Sequence, residues 1–349
     1  MKHLKYPTIK DVAKRAEVSV STVSRVLNEK PDISEKTKNR VLKAMERVGY
    51  VPNRAASIIR DKLSQMVGMI FDCSNNPFIL EVLESVQRAA NKYNYQLLLM
   101  NTEFKPELEK KSIKILLEHR VDGLLYFPTV EKSENLRWLL KRKFPVVVVG
   151  RDVEDLPVDC VYTNDTLGGY VATKHLIETG RRKLLMINAD TKNNAAAQLR
   201  QEGFLKAIAE SETLIEHKCI SNSRMDAERA FRIISDIYSS GESKYDGILC
   251  FNDIVAFGAM NGLFQRGFKI PEDVAVVGYD DTAFSSMYHP QLTTVKIDSA
   301  KEGMEAFKLL IARINEPEKP PVKKVLDIQL VVRKDRKSTR LNSSHGKLS

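Results

Sequence analysis

The chain has 349 residues, 43% hydrophobic and 29% charged, which suits a soluble globular protein of two or three domains. Its net charge of +10 is unevenly spread: residues 1–64 hold 15 Lys/Arg and 7 Asp/Glu, residues 65–334 hold 36 and 37, and residues 335–349 hold 4 and 1. The apolar runs, such as Val146–Val149, are too short to span a bilayer, and Cys73, Cys160, Cys219 and Cys250 have neither C-x-x-C spacing nor a His cluster beside them.

A basic N-terminal module on a neutral body is the footprint expected of a nucleic-acid-binding head, although a merely solvated surface would give similar charge counts. The N-terminal MKHLKYPTIKDV lacks the apolar stretch of a secretory signal, and scattered cysteines suit a reducing cytosol; a cytoplasmic protein is expected, with no cofactor and no metal.

In chain order, Thr8 and Asp11 form a T-x-x-D capping box ahead of Ile9, Val12, Ala13 and Ala16, which predicts a first helix. After a break at Glu17–Val18, Ser19 caps a second helix running to about Leu27, with Val23, Val26 and Leu27 on one face. Ser34 starts a third, with Val41, Leu42, Met45 and Val48 inward and Gly49 as its stop. A short Ala/Ile stretch, Arg54–Arg60, and a polar linker to Gln65 follow.

From residue 66 short apolar runs alternate with helical stretches. Strands are expected at Met66–Phe71, Tyr95–Met100, Val121–Phe127, Val146–Gly150, Leu184–Asn188, Asp246–Phe251 and Val274–Gly278. Helices are expected from near Pro77, Pro106, Ser133, Thr166, Ala195, Arg224 and Ile254, and a final helix Lys301–Asn315 and strand Val325–Val332 close the body. Such alternation predicts α/β architecture: two doubly wound parallel-sheet subdomains with a cleft between them, joined to an all-α helix-turn-helix head. The expected domains are 1–50 for the head, 51–65 for a hinge helix and linker, and 66–334 for ligand binding and dimerisation. Residues 335–349 read as a non-native tail, since Asp335–His345 resembles a translated sequencing adapter.

The segment Thr8–Asn28 carries the most chemistry. A small Ala13 allows the first two helices to approach closely, and the second helix keeps Val20, Ser21, Thr22, Ser24 and Arg25 outward. Hydroxyls can meet phosphates, Arg25 can donate twice to guanine, and Val20 can meet a thymine methyl. The competing reading is an ordinary three-helix cap with a polar face.

The string T-I-K-D-V-A-x-x-A-x-V-S-x-S-T-V-S-R-V-L-N, then S-E-K-T, V-G-Y-V-P-N, F-N-D-I-V-A-F-G-A at 251–259, V-V-G-Y-D-D at 276–281 and P-Q-L-T-T-V at 290–295, resembles the LacI family of bacterial repressors. The resemblance reaches about Arg333. It implies a homodimer on a pseudo-palindromic double-stranded DNA operator and a body similar to periplasmic sugar-binding proteins. Val20, Ser21 and Arg25 would then be base-reading positions, and Thr8, Ser19, Thr22 and Asn28 phosphate or cap positions. Asn53, Ala56 and Ile59 would belong to the hinge segment, where paired helices enter the minor groove. The family usually has Leu where Ile59 stands and Gly where Glu17 stands.

In the body, ligands of doubly wound folds bind at strand ends and at the helix starts after them. Asn76 and Phe78 follow the first strand, Asp165 opens a helix, Arg200 lies near a helix start, Asn252 precedes another helix, and Asp280 ends a strand. The resemblance places Asp165, Arg200, Asn252 and Asp280 where relatives hold sugar or nucleoside hydroxyls. The plain alternative is that Asp165 and Asn252 are helix caps. The expected function is a repressor controlled by a small-molecule effector, a sugar or sugar derivative. A solute-binding receptor without DNA function is the alternative. No G-x-x-x-x-G-K-[ST], G-x-S-x-G or H-E-x-x-H is present, so an enzyme is not expected.

Overall fold

The structure, a computed structural model, describes residues 7–28, 30–51, 63–72, 76–103, 105–128, 133–153, 155–192, 194–222, 225–242 and 244–333. The chain divides into two compact units, residues 1–64 and 65–349.

The first unit contains α1 (Ile9–Ala16), α2 (Val20–Leu27) and α3 (Glu35–Val48). The Thr8 backbone N–H donates to the Asp11 carboxylate at 2.8 Å and its hydroxyl donates at 2.7 Å, so the expected box closes. Ser19 accepts from the Thr22 amide at 3.0 Å and starts α2. Val12, Ala13, Ala16, Val23, Val26, Val41 and Ala44 form the core. Leu42, expected inward, is exposed, because Ala44 takes the buried position on that turn of α3. The hinge residues Asn53, Ala56 and Ile59, the tail, and Cys73 lie outside the described residues.

The second unit holds two six-stranded sheets. The first comprises β1 (Met66–Phe71), β2 (Gln96–Asn101), β3 (Gly123–Tyr126), β4 (Val146–Val149), β5 (Asp159–Thr163) and β11 (Lys323–Leu326), in the order β11-β5-β4-β3-β1-β2. The second comprises β6 (Lys183–Asn188), β7 (Glu216–Ser221), β8 (Gly247–Cys250), β9 (Ala275–Asp280), β10 (Thr293–Ile297) and β12 (Ile328–Val331), in the order β12-β10-β9-β8-β6-β7. Central strands such as VVVV in β4 and AVVGYD in β9 are buried throughout, as strands covered on both faces must be. Among the described residues all pairings are parallel except β10 with β12.

Between the strands run α4 (Pro77–Lys92), α5 (Pro106–Glu118), α6 (Glu134–Lys141), α7 (Asp165–Glu178), α8 (Ala195–Ala209), α9 (Ala227–Ile237), α10 (Asp253–Gln265), α11 (Ala283–Met287) and α12 (Ser299–Asn315). Three expectations need correction. The strand Val325–Val332 is two strands, broken at Asp327, which belong to different sheets. The helix expected near Arg224 starts at Ala227, capped by Asp226. Strands β5, β7 and β10 were not expected: Glu216–Ser221 and Thr293–Ile297 mix polar residues into their runs, and β7 is a solvated edge.

The chain passes between the sheets three times: from β5 into α7, from β10 into α12, and from β11 to β12. One hydrophobic cluster joins side chains of both sheets, among them Met69, Val147, Met186 and Val277, with Phe204 of α8 packed among them.

Candidate functional site

In the first unit the turn before α2 places Glu17 at φ 52, ψ 47, the left-handed conformation that glycine adopts most easily. The turn therefore keeps the geometry a glycine would give. Ser19 sits 2.7 Å from the Ser21 hydroxyl and 2.8 Å from that of Thr22, and Asn28 donates to the Ser24 carbonyl at 2.6 Å. Val23 and Val26 are buried, while Val20, Ser21 and Arg25 are exposed along one side of α2. Thr8 and Ser19 are exposed at the starts of α1 and α2. Arg25 forms an ion pair with Asp32, and its side chain is 52% exposed, so its guanidinium is held but accessible.

In the second unit a cavity of about 200 Å³ is lined by Phe78, Arg151, Arg200, Asn252 and Asp280, with Asp72 at the end of β1. A neighbouring cavity of about 450 Å³, lined by Arg137, Asp165 and Gln198 among others, shares Arg151 and Ala195 with it. Of the six residues expected in a ligand site, Phe78, Arg200, Asn252 and Asp280 thus converge on one cavity. Asn76 stands behind it, donating to Asp280 at 2.9 Å and accepting from the Phe78 amide at 3.1 Å. Asp165 opens on the larger cavity and reaches the smaller one through Arg200.

Arg200 is positioned by its surroundings. Its Nε donates to Asp165 at 2.8 Å and its Nη1 to the Phe251 carbonyl at 2.6 Å, and its guanidinium lies 3.5 Å over the Tyr279 ring. Two of the donors expected for a ligand are thus engaged within the protein. The Asp165 charge holds its guanidinium protonated against burial. The glycines of α7 permit this arrangement. A Cβ on Gly169 would lie 2.1 Å from the Arg200 carbonyl oxygen, and one on Gly168 would lie 1.9 Å from the Tyr279 hydroxyl. Only bare backbone lets α7 and α8 approach closely enough for the pair to form.

Asp280 ends β9 at φ 109, and Asp281 follows at φ 57, two successive conformations that side chains disfavour. The turn is held from below by Asp253, which accepts from the Thr282 amide at 2.8 Å, Ser285 at 2.6 Å and Thr294 at 2.6 Å. Arg333 binds Asp281 at 2.6 Å. Burial pushes the Asp280 carboxyl up to about 8, with Arg200 opposing and Asp253 adding to the rise. Asn252 caps α10, its Oδ1 accepting from the Val255 amide at 2.9 Å, so the cap reading holds for it, and it also lines the cavity. Asp165 is not the cap of α7: Asn164 is, accepting from the Leu167 amide at 2.9 Å.

Sequence reasoning missed Asp72 and Arg151, which stand just past β1 and β4, where the strand-end rule would have found them. It also passed over Glu302, a carboxyl on the buried stripe of α12 formed with Gly303, Ala306, Phe307 and Leu310, which lines neither cavity. An acid at an apolar-stripe position was the available signal.

The family model described as "Bacterial regulatory proteins, lacI family" matches residues 8–53, and that described as "Periplasmic binding proteins and sugar binding domain of LacI family" matches residues 64–336. The chain is similar to the HTH-type transcriptional repressor PurR of Aliivibrio fischeri, 34% identical over 312 residues, covering 88% of this chain and 92% of that protein. Its structure is similar to that of the lac repressor dimer bound to operator and the anti-inducer ONPF, with a TM-score of 0.81 and 25% identity over 95% of this chain and 99% of the other. It is also similar to a LacI family transcriptional regulator from Enterococcus faecalis with bound ribose, with a TM-score of 0.69 and 26% identity over 78% of this chain and 98% of the other. Among the described residues no helix is long and apolar enough to cross a membrane.

Proposed function

Because the chain belongs to the LacI family of bacterial regulatory proteins, DNA-binding repressors with an effector domain and not enzymes, we propose that it represses transcription in the cytoplasm as a homodimer, released or engaged by a small molecule bound between its two sheets. The exposed side of α2 reads the operator. Val20, Ser21 and Arg25 meet base edges in the major groove, and Thr8, Ser19, Thr22 and Asn28 set the head on the phosphates. The observation that carries this is the split of α2 into a buried Val23/Val26 face and an exposed Val20/Ser21/Arg25 face.

The effector occupies the cavity of Phe78, Arg200, Asn252 and Asp280, with Asn76 and Asp165 supporting it. A carboxyl, an amide and an aromatic ring at one cavity favour a hydroxyl-rich ring, a sugar or sugar derivative. The ribose-bound relative is consistent with this choice. Ligand gripped across the cleft favours one closure of the two layers, and that differential affinity shifts operator binding. Footprinting of the full chain on genomic fragments tests the reading. A pseudo-palindromic protected site whose occupancy responds to a sugar is expected; a single asymmetric site, or none, would sink it.

A further inference from the structure

The two neighbouring cavities of the body differ in what they leave available to a ligand. In the smaller one Arg200 has its Nε and Nη1 engaged by Asp165 and the Phe251 carbonyl. The larger, of about 450 Å³, is lined by Arg137 of α6, which is exposed. Its guanidinium has no hydrogen-bond or ion-pair partner among the described residues. Thr163, at the end of β5, lines the same cavity; it is 5% exposed, and its hydroxyl also makes no hydrogen bond among the described residues. A buried hydroxyl without a partner in the chain is costly unless water or a ligand satisfies it.

Three helix starts meet at this cavity. Ser133 caps α6, Asn164 caps α7 and Ala195 is the first residue of α8, and all three line it. First-turn amides lack partners within the helix and carry partial positive charge, so helix starts gathered on one cavity favour an anion there. Two of the three carboxylates in the lining are already paired. Asp165 binds Arg200 at 2.8 Å, and Asp152 binds Lys323 at 2.7 Å while accepting from the Tyr162 hydroxyl at 3.2 Å. The third, Asp155, is exposed. Arg151 and Ala195 line both cavities, so a single ligand can reach from one into the other.

We propose that the larger cavity is an anion-recognising extension of the effector site, with Arg137 as its specificity-determining cation, and that the effector is a sugar carrying a phosphate ester or a carboxylate. This rests on the smaller cavity being the effector site. The sugar ring lies against Phe78, Asn252 and Asp280, and the anionic group passes Arg151 to reach Arg137 and the helix starts. A guanidinium presents a planar fork of donors that matches phosphate and carboxylate oxygens alike. The anion also supplies an acceptor for the Thr163 hydroxyl. A neutral sugar fills the first cavity and leaves Arg137 and Thr163 without a ligand partner.

The test is titration calorimetry of the full chain with glucose, galactose, fructose and ribose, each against its phosphate esters, and with glucuronate and galacturonate, at low and high salt. Wild type is compared with Arg137→Ala, Arg137→Glu and Asp280→Asn, each checked for folding by its melting curve. Arg137 is exposed, so its variants are expected to fold. Wild type should bind at least one anionic sugar roughly ten-fold or more tighter than its neutral parent, with the advantage shrinking at high salt. Tight binding confined to the esters, or to the uronates, identifies which anion the cavity takes. Arg137→Ala should bring anion and parent within about two-fold of each other without changing the parent's affinity, and Arg137→Glu should reverse the preference. Neutral parents that bind as tightly as the anions, with Asp280→Asn abolishing binding, would overturn the inference and leave the smaller cavity as the effector site. An anion preference that survives both Arg137 variants would also overturn it. Binding indifferent to Asp280→Asn, or a panel in which nothing binds, would overturn the inference together with the reading it rests on.

Discussion

Asn76 and Asp280 meet across the two layers of the body. Nδ2 of the first, at the start of α4, donates to Oδ2 of the second, at the end of β9, over 2.9 Å. Residues 204 positions apart in sequence thus hold the cleft at one side, and the partner of Asn76 is a cavity-lining carboxyl. Asn76→Ala should free Asp280 and loosen this closure. The expected result is a folded protein whose operator affinity in the absence of effector differs from wild type by several-fold. Fluorescence anisotropy on labelled operator measures it, and an unchanged affinity with unchanged effector response would deny the contact a role in switching.

Arg200→Ala carries a stability penalty that the sequence alone did not predict. If Arg200 were only a ligand contact, the variant would fold and be blind to effector. The structure shows Arg200 as the counter-charge of a 3%-exposed Asp165 side chain, so its removal leaves a buried carboxylate alone. Such losses are about 3–5 kcal/mol, a large part of a domain's stability. Urea denaturation of Arg200→Ala, Asp165→Ala and the double variant should give a strongly non-additive cycle, with the double variant closer to wild type than the sum of the singles. Additive losses would mean that the two side chains act independently.

On the head, Arg25→Ala should cost roughly 1–3 kcal/mol on the cognate operator and relax preference at one base pair. Asp32→Ala should act in the opposite direction, because it removes the carboxylate now paired with Arg25. Binding to a full set of single-base operator variants distinguishes base reading from a phosphate contact. Uniform weakening across all sequences would assign Arg25 to the backbone.

The stability of the body should fall as pH rises. Asp280 and Glu302 are held up to about 8, from ordinary values of 3.8 and 4.5. Between those limits the folded state binds more protons than the unfolded chain, so each pH unit opposes folding by up to about 1.4 kcal/mol per group; above about pH 8 the loss levels off. Asp280→Asn should be relatively more stable than wild type at pH 8.5 than at pH 5.5. Melting curves at the two values check this, and a parallel pH dependence in both proteins would count against it.

Much of this arrangement was legible in the sequence. The capping residues Thr8 and Ser19, the apolar spacing of Val12, Ala16 and Val23, and the apolar runs of the central strands determine local structure, and each lies where pattern and burial agree. Phe78, Asn252 and Asp280, expected from their places at or just past strand ends, line one cavity because those strands end at the cleft. What could not be read was set by distant partners. Nothing near Glu302 in sequence announces Asp165 or Asp280, and nothing near Arg200 announces that Phe251 and Asp165 would take its donors. The mixed strand Glu216–Ser221 was missed for a similar reason, since an edge strand is specified by its neighbour Lys183–Asn188 more than by its own pattern.

The three passages between the sheets bear on how the molecule is made. Strand β11, the edge of the first sheet beside β5, is drawn from residues Lys323–Leu326, and α12, which covers β3, β4 and β5, from Ser299–Asn315. During synthesis the first 163 residues leave the ribosome with five strands of that sheet but without its last strand or that helical cover. The Val-rich β4 stays exposed on one face until nearly the whole chain has emerged. Neither layer can therefore finish folding ahead of the other, and a nascent chain arrested before residue 299 would be a client for chaperones rather than a folded domain.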